Sequence, residues 1–422
     1  MNVICTVNLW QLVKFVFRRT KISNTWTRGR SIDHDYLENR LQGNNEMEMI
    51  NVYQPKLGTE EILAVSEVFE SNWIGRGAKV AQFESDFASY VGLDTKHFVS
   101  TTSCTEALFQ IIDLIKKDGG EVVIPAVSFV GAANAILSAG MNVVFCDVDP
   151  LTGNARVSDV EAKITNKTVA VLVQHQGGMP CEILAISELC RTKNIYVVED
   201  SAGALGTTVN GKHCGTFADF GCWSFDAMKM VVAGDGGMIY ASETAHIEAL
   251  REKTYLGLSA TSGATQAQQH DRWWEFDVNS PSRRSIMNDV NAAIGIVQLR
   301  KLDKSIETRL MNYLEYQKQF AVIDSKLLET PAIPKNVKLS HYFYPVLVSL
   351  GKRDELAIHM RGKKIYTTFR YYPLNKVNLY KNGVYLADTE SYADRMLLLP
   401  QHQSLSENDL KRITSNVLEF FR

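Results

Sequence analysis

The sequence has no excess of either charge, few cysteines and no spacing typical of a metal site. Among 422 residues, 45 lysines and arginines stand against 47 aspartates and glutamates, which argues against a nucleic-acid-binding protein because such proteins normally carry a basic excess. The seven cysteines include no CxxC pair, and the nine histidines include no HExxH. Neither a disulfide framework nor a metal site is expected, and a reducing, cytoplasmic location is predicted.

Nucleotide-binding loops are also missing. No G-x-G-x-x-G follows the first predicted strand, so a dinucleotide site has no support. The segment GTTVNGKH at 206–213 approaches a P-loop, but His213 stands where that motif needs a hydroxyl residue. The pair Asn210-Gly211 predicts a hairpin turn instead.

An apolar run at 3–17 precedes a basic patch that begins at Arg18. A secretory signal carries its positive charges before the apolar run, and this run contains Lys14 and is too short to span a bilayer. We therefore expect no stable membrane insertion. The run is either an interfacial helix or part of a poorly ordered N-terminal extension over 1–49, and the second interpretation is favoured.

From residue 50 onward, the spacing of apolar side chains becomes regular. Helical spacing covers 58–70 and 80–91. Short apolar runs typical of strands follow at 97–100, 121–125, 142–149, 169–174 and 194–200. Strands that alternate with helices predict an α/β fold with a mostly parallel sheet and helices on both faces.

The C-terminal part has a different pattern. A long helical pattern at 299–320 precedes a predicted strand at 341–350, a helix near 353–361 and another strand at 364–372. We therefore predict a large domain over 50–300 and a smaller α+β domain over 301–422.

A carboxylate and a lysine mark a candidate site. Asp200 ends the apolar run IYVVED, and α/β proteins bind ligands at the carboxyl ends of parallel strands. Lys229 lies among Met228, Met230 and Val231, so we expect its pKa to fall, as a lysine that bonds to an aldehyde requires. Taken alone, it would rather be interpreted as a surface lysine whose stem covers apolar side chains.

Small and hydroxyl side chains stand at the predicted start of a helix. Ser103, Cys104 and Thr105 suit phosphate binding by helix N–H groups, or simple capping. Phe129 follows the next strand, where an aromatic ring belongs to the core or covers a flat ligand. Pyridoxal phosphate needs a phosphate site, apolar walls, a carboxylate and a lysine, and Ser224 adds a second hydroxyl.

In this order, the segments resemble the DegT-type sugar aminotransferases, which are pyridoxal-phosphate enzymes of the aspartate aminotransferase fold (fold type I). The resemblance runs from about Ile50 to the C-terminus. Its landmarks include SNWIGRGAKVAQFE (71–84), TSCTEAL (102–108), PAVSFVGAANAI (125–136), HQGGMPCEI (175–183), SFDAMK (224–229) and GDGG (234–237). It implies an α/β PLP-transferase fold and a PLP-dependent transaminase.

The resemblance also implies roles by position. Lys229 would bond to the cofactor aldehyde and carry the α-proton, and Asp200 would pair with the ring nitrogen. Phe129 would stack on the ring, and His175 would lie near it. The phosphate would contact Ser103, Cys104, Thr105 and Ser224, together with Arg284 of a second subunit.

Two departures from the family pattern matter. Gly203 stands where relatives usually carry Gln or His beside the cofactor, so one ring contact is missing or supplied elsewhere. Arg283 and Arg284 stand in a loop that reaches the neighbouring subunit's phosphate in relatives, and these arginines suit either a phosphate or a carboxylate. The resemblance thereby implies a homodimer with shared active sites.

The implied substrates are L-glutamate and a keto-sugar used for bacterial surface polysaccharide such as lipopolysaccharide. The acceptor is either a nucleotide-linked keto-deoxyhexose or an 8-oxo-3-deoxy-octulosonate. Arg370 stands where His is common, which suggests an acidic group on a substrate or a salt bridge within the chain. The residues expected to bind substrate are Trp73, Arg76, Arg370 and Tyr371. A sugar dehydratase, against which Lys229 weighs, and a non-catalytic sensor are the alternatives.

Overall fold

The computed structural model describes residues 48–258, 272, 274–380 and 383–422. Almost all of the predicted N-terminal extension lies outside these residues, so its interpretation stays a prediction. Within the described part of the chain, no helix is both long enough and apolar enough to cross a membrane.

The strands form one large and two small sheets. In chain order they are β1 (Phe98–Thr101), β2 (Glu121–Pro125), β3 (Asn142–Cys146), β4 (Thr168–Gln174), β5 (Tyr196–Asp200), β6 (Thr208–Val209), β7 (Lys212–His213), β8 (Phe220–Ser224), β9 (Gly237–Ala241), β10 (Leu328–Glu329), β11 (Val337–Lys338), β12 (Tyr344–Val348) and β13 (Met396–Leu399). The large sheet has the order β1-β9-β8-β5-β4-β2-β3. Its neighbours from β8 to β3 are parallel, whereas β9 is antiparallel to both β1 and β8.

Helices cover both faces of the large sheet, and those of the C-terminal part pack around the small sheet there. They are α1 (Thr59–Glu70), α2 (Ala78–Tyr90), α3 (Cys104–Ile115), α4 (Val130–Ser138), α5 (Val157–Glu161), α6 (Ile183–Lys193), α7 (Thr244–Thr254), α8 (Asp289–Arg300), α9 (Leu302–Phe320), α10 (Arg353–Gly362), α11 (Ala387–Arg395) and α12 (Glu407–Phe420). In β2, Val122 packs in one cluster with Ile111 of α3, whereas the next residue, Val123, packs in another with Ile186 of α6. Because successive strand residues point to opposite faces, both faces are buried, as the predicted α/β fold requires.

The register of the sheet places three strand ends side by side. Gln174 of β4 pairs with Asp200 of β5, which in turn pairs with Cys222 of β8. These strands are parallel, so their carboxyl ends share one edge of the sheet. Ligands bind at this edge in open α/β folds.

The C-terminal part contains an antiparallel sheet in the order β10-β12-β13, as expected for an α+β region. The predicted strand at 364–372 is wrong. That segment has only isolated bridges, from Ile365 to Ile50 and from Thr368 to Leu398. Contacts join residues 49–422 into one compact unit, and the division at residue 300 stays a prediction.

The predicted hairpin is confirmed. β6 and β7 are antiparallel and flank Asn210 and Gly211, whose φ angles are 52° and 81°. A tight hairpin turn needs these left-handed conformations, which asparagine and glycine adopt readily.

Candidate active site

A cavity of about 290 Å³ lies at the shared edge of the large sheet. Its volume is near the lower end of the range for small-molecule sites, roughly 300–1,000 Å³. Ten of the residues predicted from sequence line it: Ser103, Cys104, Thr105, Phe129, His175, Asp200, Ser224, Lys229, Arg370 and Tyr371. The fold therefore brings together side chains from strand ends, a helix start and the C-terminal part of the chain.

Asp200 is buried at the end of β5, where its carboxylate accepts the N–H of Ala202 at 3.0 Å. Burial raises the pKa of Asp200, although Ala202, Lys229 and His175 act in the opposite direction. A further cation against this carboxylate would lower the pKa again. The site therefore favours a cationic group at Asp200, such as a protonated ring nitrogen.

The start of α3 provides a place for an anion. The side chain of the N-cap residue Ser103 accepts the N–H of Glu106 at 3.1 Å, and α3 begins at Cys104. The first N–H groups of a helix have no acceptor within the helix, so Cys104 and Thr105 offer theirs to a ligand. Glycine is required at 237, because an added Cβ there would lie 2.6 Å from the backbone nitrogen of Cys104.

Lys229 follows β8 in a short turn, where its N–H donates to the carbonyl of Asp226 at 3.0 Å. Burial lowers the pKa of Lys229, but the side-chain oxygens of Tyr342, Tyr371 and Asp200 outweigh burial and raise the pKa above its ordinary value. The expectation of a lowered pKa is therefore wrong for the chain without a ligand. Apolar neighbours in the sequence suggested desolvation, whereas polar groups from distant segments surround the amine.

His175 has no ring nitrogen free for acid–base chemistry. Its Nε2–H donates to Glu199 at 2.9 Å, and its Nδ1 accepts the N–H of Cys181 at 3.3 Å. Glu199 also accepts the N–H groups of Gly215, at 2.7 Å, and of Phe217, at 2.6 Å. These bonds hold both ring nitrogens in place, so His175 contributes a rigid wall to the cavity.

A chain of side-chain amides connects the strand ends to the C-terminal part. Gln174 accepts the N–H of Phe129 at 3.3 Å and donates to Gln176, which donates to the carbonyl of Arg370. The Phe129 ring lies 5.7 Å from the ring of Tyr371. The segment that carries Arg370 and Tyr371 is thus fixed against the large sheet.

Arg370 presents an unneutralised positive charge to the cavity. Its guanidinium lies 5.0 Å from the ring centroid of Tyr53 and 5.9 Å from that of Tyr371, and Nη2 contacts the sulfur of Met228 at 3.8 Å. It forms no ion pair with any carboxylate that the structure describes, so the salt-bridge interpretation finds no partner. An anionic group of a substrate fits this position.

Three predicted residues do not line the cavity of this chain. Trp73 is exposed and donates to the carbonyl of Arg76 at 3.0 Å, while Arg76 forms an ion pair of 3.1 Å with Glu84. Arg284 is exposed and lies 5.2 Å from the ring of Tyr255. Their predicted contacts with substrate and cofactor stay predictions.

Several residues that line the cavity were not predicted from the sequence, and Gln174 and Tyr342 are two of them. Gln174 ends β4 as Asp200 ends β5, so the rule that identified Asp200 could also have found it. Tyr342 precedes β12, and nothing in the local sequence places it near Lys229, yet Lys229 Nζ lies 5.3 Å from the centre of its ring.

The residues present fit pyridoxal phosphate. The start of α3 suits its phosphate, Asp200 suits its ring nitrogen and Lys229 suits its aldehyde. In addition, the buried hydroxyl of Tyr342 has no hydrogen-bond partner within the described residues. A polar ligand in the cavity would give it one.

Comparisons with known proteins agree with this geometry. Residues 55–418 match the DegT/DnrJ/EryC1/StrS aminotransferase family. A dTDP-4-dehydro-2,3,6-trideoxy-D-glucose 4-aminotransferase from Saccharopolyspora spinosa is 45% identical over 368 residues, which cover 86% of this chain and 95% of that relative. GDP-perosamine synthase from Escherichia coli O157:H7 is 30% identical over 379 residues, covering 89% of this chain and 99% of the synthase. The crystal structure of the aminotransferase TlmJ from Streptoalloteichus hindustanus has a TM-score of 0.83 and 43% identity, with 88% of this chain and 98% of that chain covered.

Proposed function

Since this chain belongs to the DegT/DnrJ/EryC1/StrS aminotransferase family, we propose that it moves the amino group of L-glutamate to a nucleotide-linked keto-deoxyhexose. It is a PLP-dependent sugar aminotransferase, and both substrates must therefore reach Lys229. The observation that carries the proposal is one cavity holding an amine, a buried carboxylate, a helix start and an unneutralised arginine. A transaminase needs all four, because the cofactor and an acidic amino donor bind together.

Each side chain has a distinct task. When bound, pyridoxal phosphate supplies an electron-withdrawing ring that makes the α-proton of the amino donor acidic. Asp200 would keep the ring nitrogen protonated, and Lys229 Nζ would accept a proton from the donor carbon in the first half-reaction and supply a proton to the acceptor carbon in the second. Phe129 and His175, which both line the cavity, would lie against the cofactor ring.

Arg370 binds the anionic group of the amino donor. Met228, which its guanidinium contacts, directly precedes Lys229 in the sequence. A carboxylate of glutamate is only a few bonds from the reacting carbon, whereas the diphosphate of a nucleotide sugar lies across the hexose ring from a 4-keto carbon. A cation that lines the same cavity as Lys229 therefore suits the donor better than the nucleotide.

The acceptor proposal rests on the relatives. The relative at 45% identity is named for a dTDP-linked 4-dehydro-trideoxyhexose, and perosamine synthase is named for a GDP-linked product. These names favour a nucleotide-linked acceptor over the 8-oxo-3-deoxy-octulosonate. Use of the amino sugar in lipopolysaccharide or another surface polysaccharide stays a prediction.

Absorbance spectroscopy of the purified protein tests the proposal. The visible band of the lysine-bound cofactor should disappear when L-glutamate is added and should return when a dTDP-linked 4-keto-deoxyhexose follows. Return of the band with the octulosonate alone would assign the acidic acceptor instead. A band that ignores glutamate would refute the donor, and a protein that pyridoxal phosphate cannot colour would indicate a sensor.

A further inference from the structure

Gly203 has no side chain that could reach the cofactor, and the ring of Tyr342 occupies the adjacent space. An added Cβ at position 203 would lie 2.8 Å from Cδ1 and 3.1 Å from Cε1 of that ring. Cβ atoms essentially never approach other atoms to less than 3.0 Å. A side chain at 203 and the present position of Tyr342 therefore exclude each other.

Tyr342 is held rigidly where it is. It is 1% exposed, and its ring stacks on Tyr53 at 5.5 Å and on Phe343 at 4.6 Å. Its carbonyl accepts a hydrogen bond of 3.3 Å from the buried guanidinium of Arg309. It lines the cavity, and its ring lies 5.3 Å from Nζ of Lys229.

The hydroxyl of Tyr342 is buried without a hydrogen-bond partner in the part of the chain that the structure describes. Burial of an unpaired hydroxyl is costly, and most buried polar atoms have a partner. A ligand in the cavity accounts for the exception. Tyr53 provides a comparison, because its hydroxyl is also buried and unpaired although Tyr53 does not line the cavity.

We propose that Tyr342 replaces the side chain missing at position 203 and that its hydroxyl hydrogen-bonds a polar atom of the bound cofactor. Gly203 and Tyr342 are then a matched pair, in which the absence of one side chain admits the other. The inference rests on the proposed function, because it requires the cofactor to lie in this cavity. It adds a cofactor-binding residue from a segment far from the other cofactor contacts.

The first test compares Tyr342→Phe with Tyr53→Phe. Each variant keeps its ring and loses one unpaired hydroxyl, so the melting temperature of the cofactor-free protein should stay the same or rise in both. The dissociation constant of pyridoxal phosphate, measured by titration of the cofactor-free protein, should rise about 5- to 10-fold for Tyr342→Phe only, as expected for one lost hydrogen bond. An unchanged constant for Tyr342→Phe, or an equal rise for Tyr53→Phe, would overturn the proposal.

The second test exchanges the two positions. Gly203→Gln alone should weaken cofactor binding, because the new side chain displaces the Tyr342 ring. Tyr342→Ala should also weaken cofactor binding. The double variant Gly203→Gln/Tyr342→Ala should regain at least half of the binding free energy that Tyr342→Ala loses. A double variant no better than Tyr342→Ala would contradict the matched pair.

The proposed function and the proposed role of Tyr342 can be refuted separately. If the unaltered protein does not bind pyridoxal phosphate at Lys229, the proposed function fails. If the unaltered protein binds the cofactor and reacts with glutamate, but Tyr342→Phe binds the cofactor equally well, only the role of Tyr342 fails.

Discussion

Replacement of Arg370 by alanine should weaken the reaction with glutamate much more than it affects the folded state. The guanidinium packs on aromatic rings and makes no ion pair with the described carboxylates, so its removal breaks no salt bridge. It does remove a positive charge from the cavity near Lys229. The substitution therefore tests substrate binding rather than structure.

The size of the effect follows from the contacts that Arg370 can make. A hydrogen bond to a charged group contributes about 1.5–3 kcal/mol, which corresponds to roughly a 10- to 150-fold change in affinity. Because Arg370 is only half-buried, solvent screens its charge, so the expected change in affinity lies toward the lower end of this range. We expect Arg370→Ala to raise the glutamate concentration needed for half-maximal reaction about 10- to 50-fold. Arg370→Lys should raise this glutamate concentration less than Arg370→Ala does. Lysine keeps the positive charge but lacks the planar guanidinium that binds a carboxylate through two N–H groups.

The two half-reactions identify the ligand of Arg370. The loss of the visible band with glutamate reports the donor, and its return with the keto-sugar reports the acceptor. Arg353→Ala is the matched control, because Arg353 also packs on an aromatic ring, 4.8 Å from the centroid of Phe369, and does not line the cavity. If Arg370→Ala leaves the donor reaction unchanged and slows only the acceptor reaction, the arginine binds the sugar substrate and the reasoning above is wrong.

Three other predictions concern catalysis, assembly and pH. Lys229→Ala should lower turnover at least about a thousandfold, since it removes the acid–base group, and substantial residual transamination would contradict its role. Arg284→Ala should weaken cofactor binding, and mixing it with Lys229→Ala should restore activity if Arg284 acts across a dimer; mixtures that stay inactive would contradict shared sites. Burial lowers the pKa of His402 to about 4, so the unfolded chain binds a proton below about pH 6.5 that the folded chain does not. The free energy of unfolding should therefore fall from pH 6.5 toward pH 4, by up to about 3 kcal/mol for this residue. Denaturant titrations at a series of pH values should show that the unfolding free energy of His402→Gln depends less on pH over this range.

Local patterns predicted the parts of the site that depend on local geometry. Asp200 and the α3 start were found because the end of a parallel strand and the start of a helix have fixed chemical properties wherever they occur. The hairpin at Asn210 and Gly211 follows from the same kind of rule. These positions need no knowledge of distant segments.

Contacts between distant segments could not be predicted in this way. The pKa of Lys229 depends on Tyr342 and Tyr371, which come from the C-terminal part of the chain. Likewise, the segment at 364–372 has a strand-like composition, but Thr368 finds only one bridging partner, Leu398, on the edge of the small sheet. The departure at Gly203 was visible in the sequence, whereas its compensation by Tyr342 required the structure.

The charges that line the cavity support the prediction of a second subunit. Within the described residues, the lining includes three carboxylates, Asp200, Asp226 and Asp235, against two cations, Lys229 and Arg370. A bound phosphate adds further negative charge, and the helix start contributes only a partial positive charge. Lys229 is proposed to bond to the aldehyde and Arg370 to bind the donor, so neither would neutralise the phosphate. An additional cation would balance this charge, and Arg284 of a partner subunit is the predicted candidate that the mixing experiment tests.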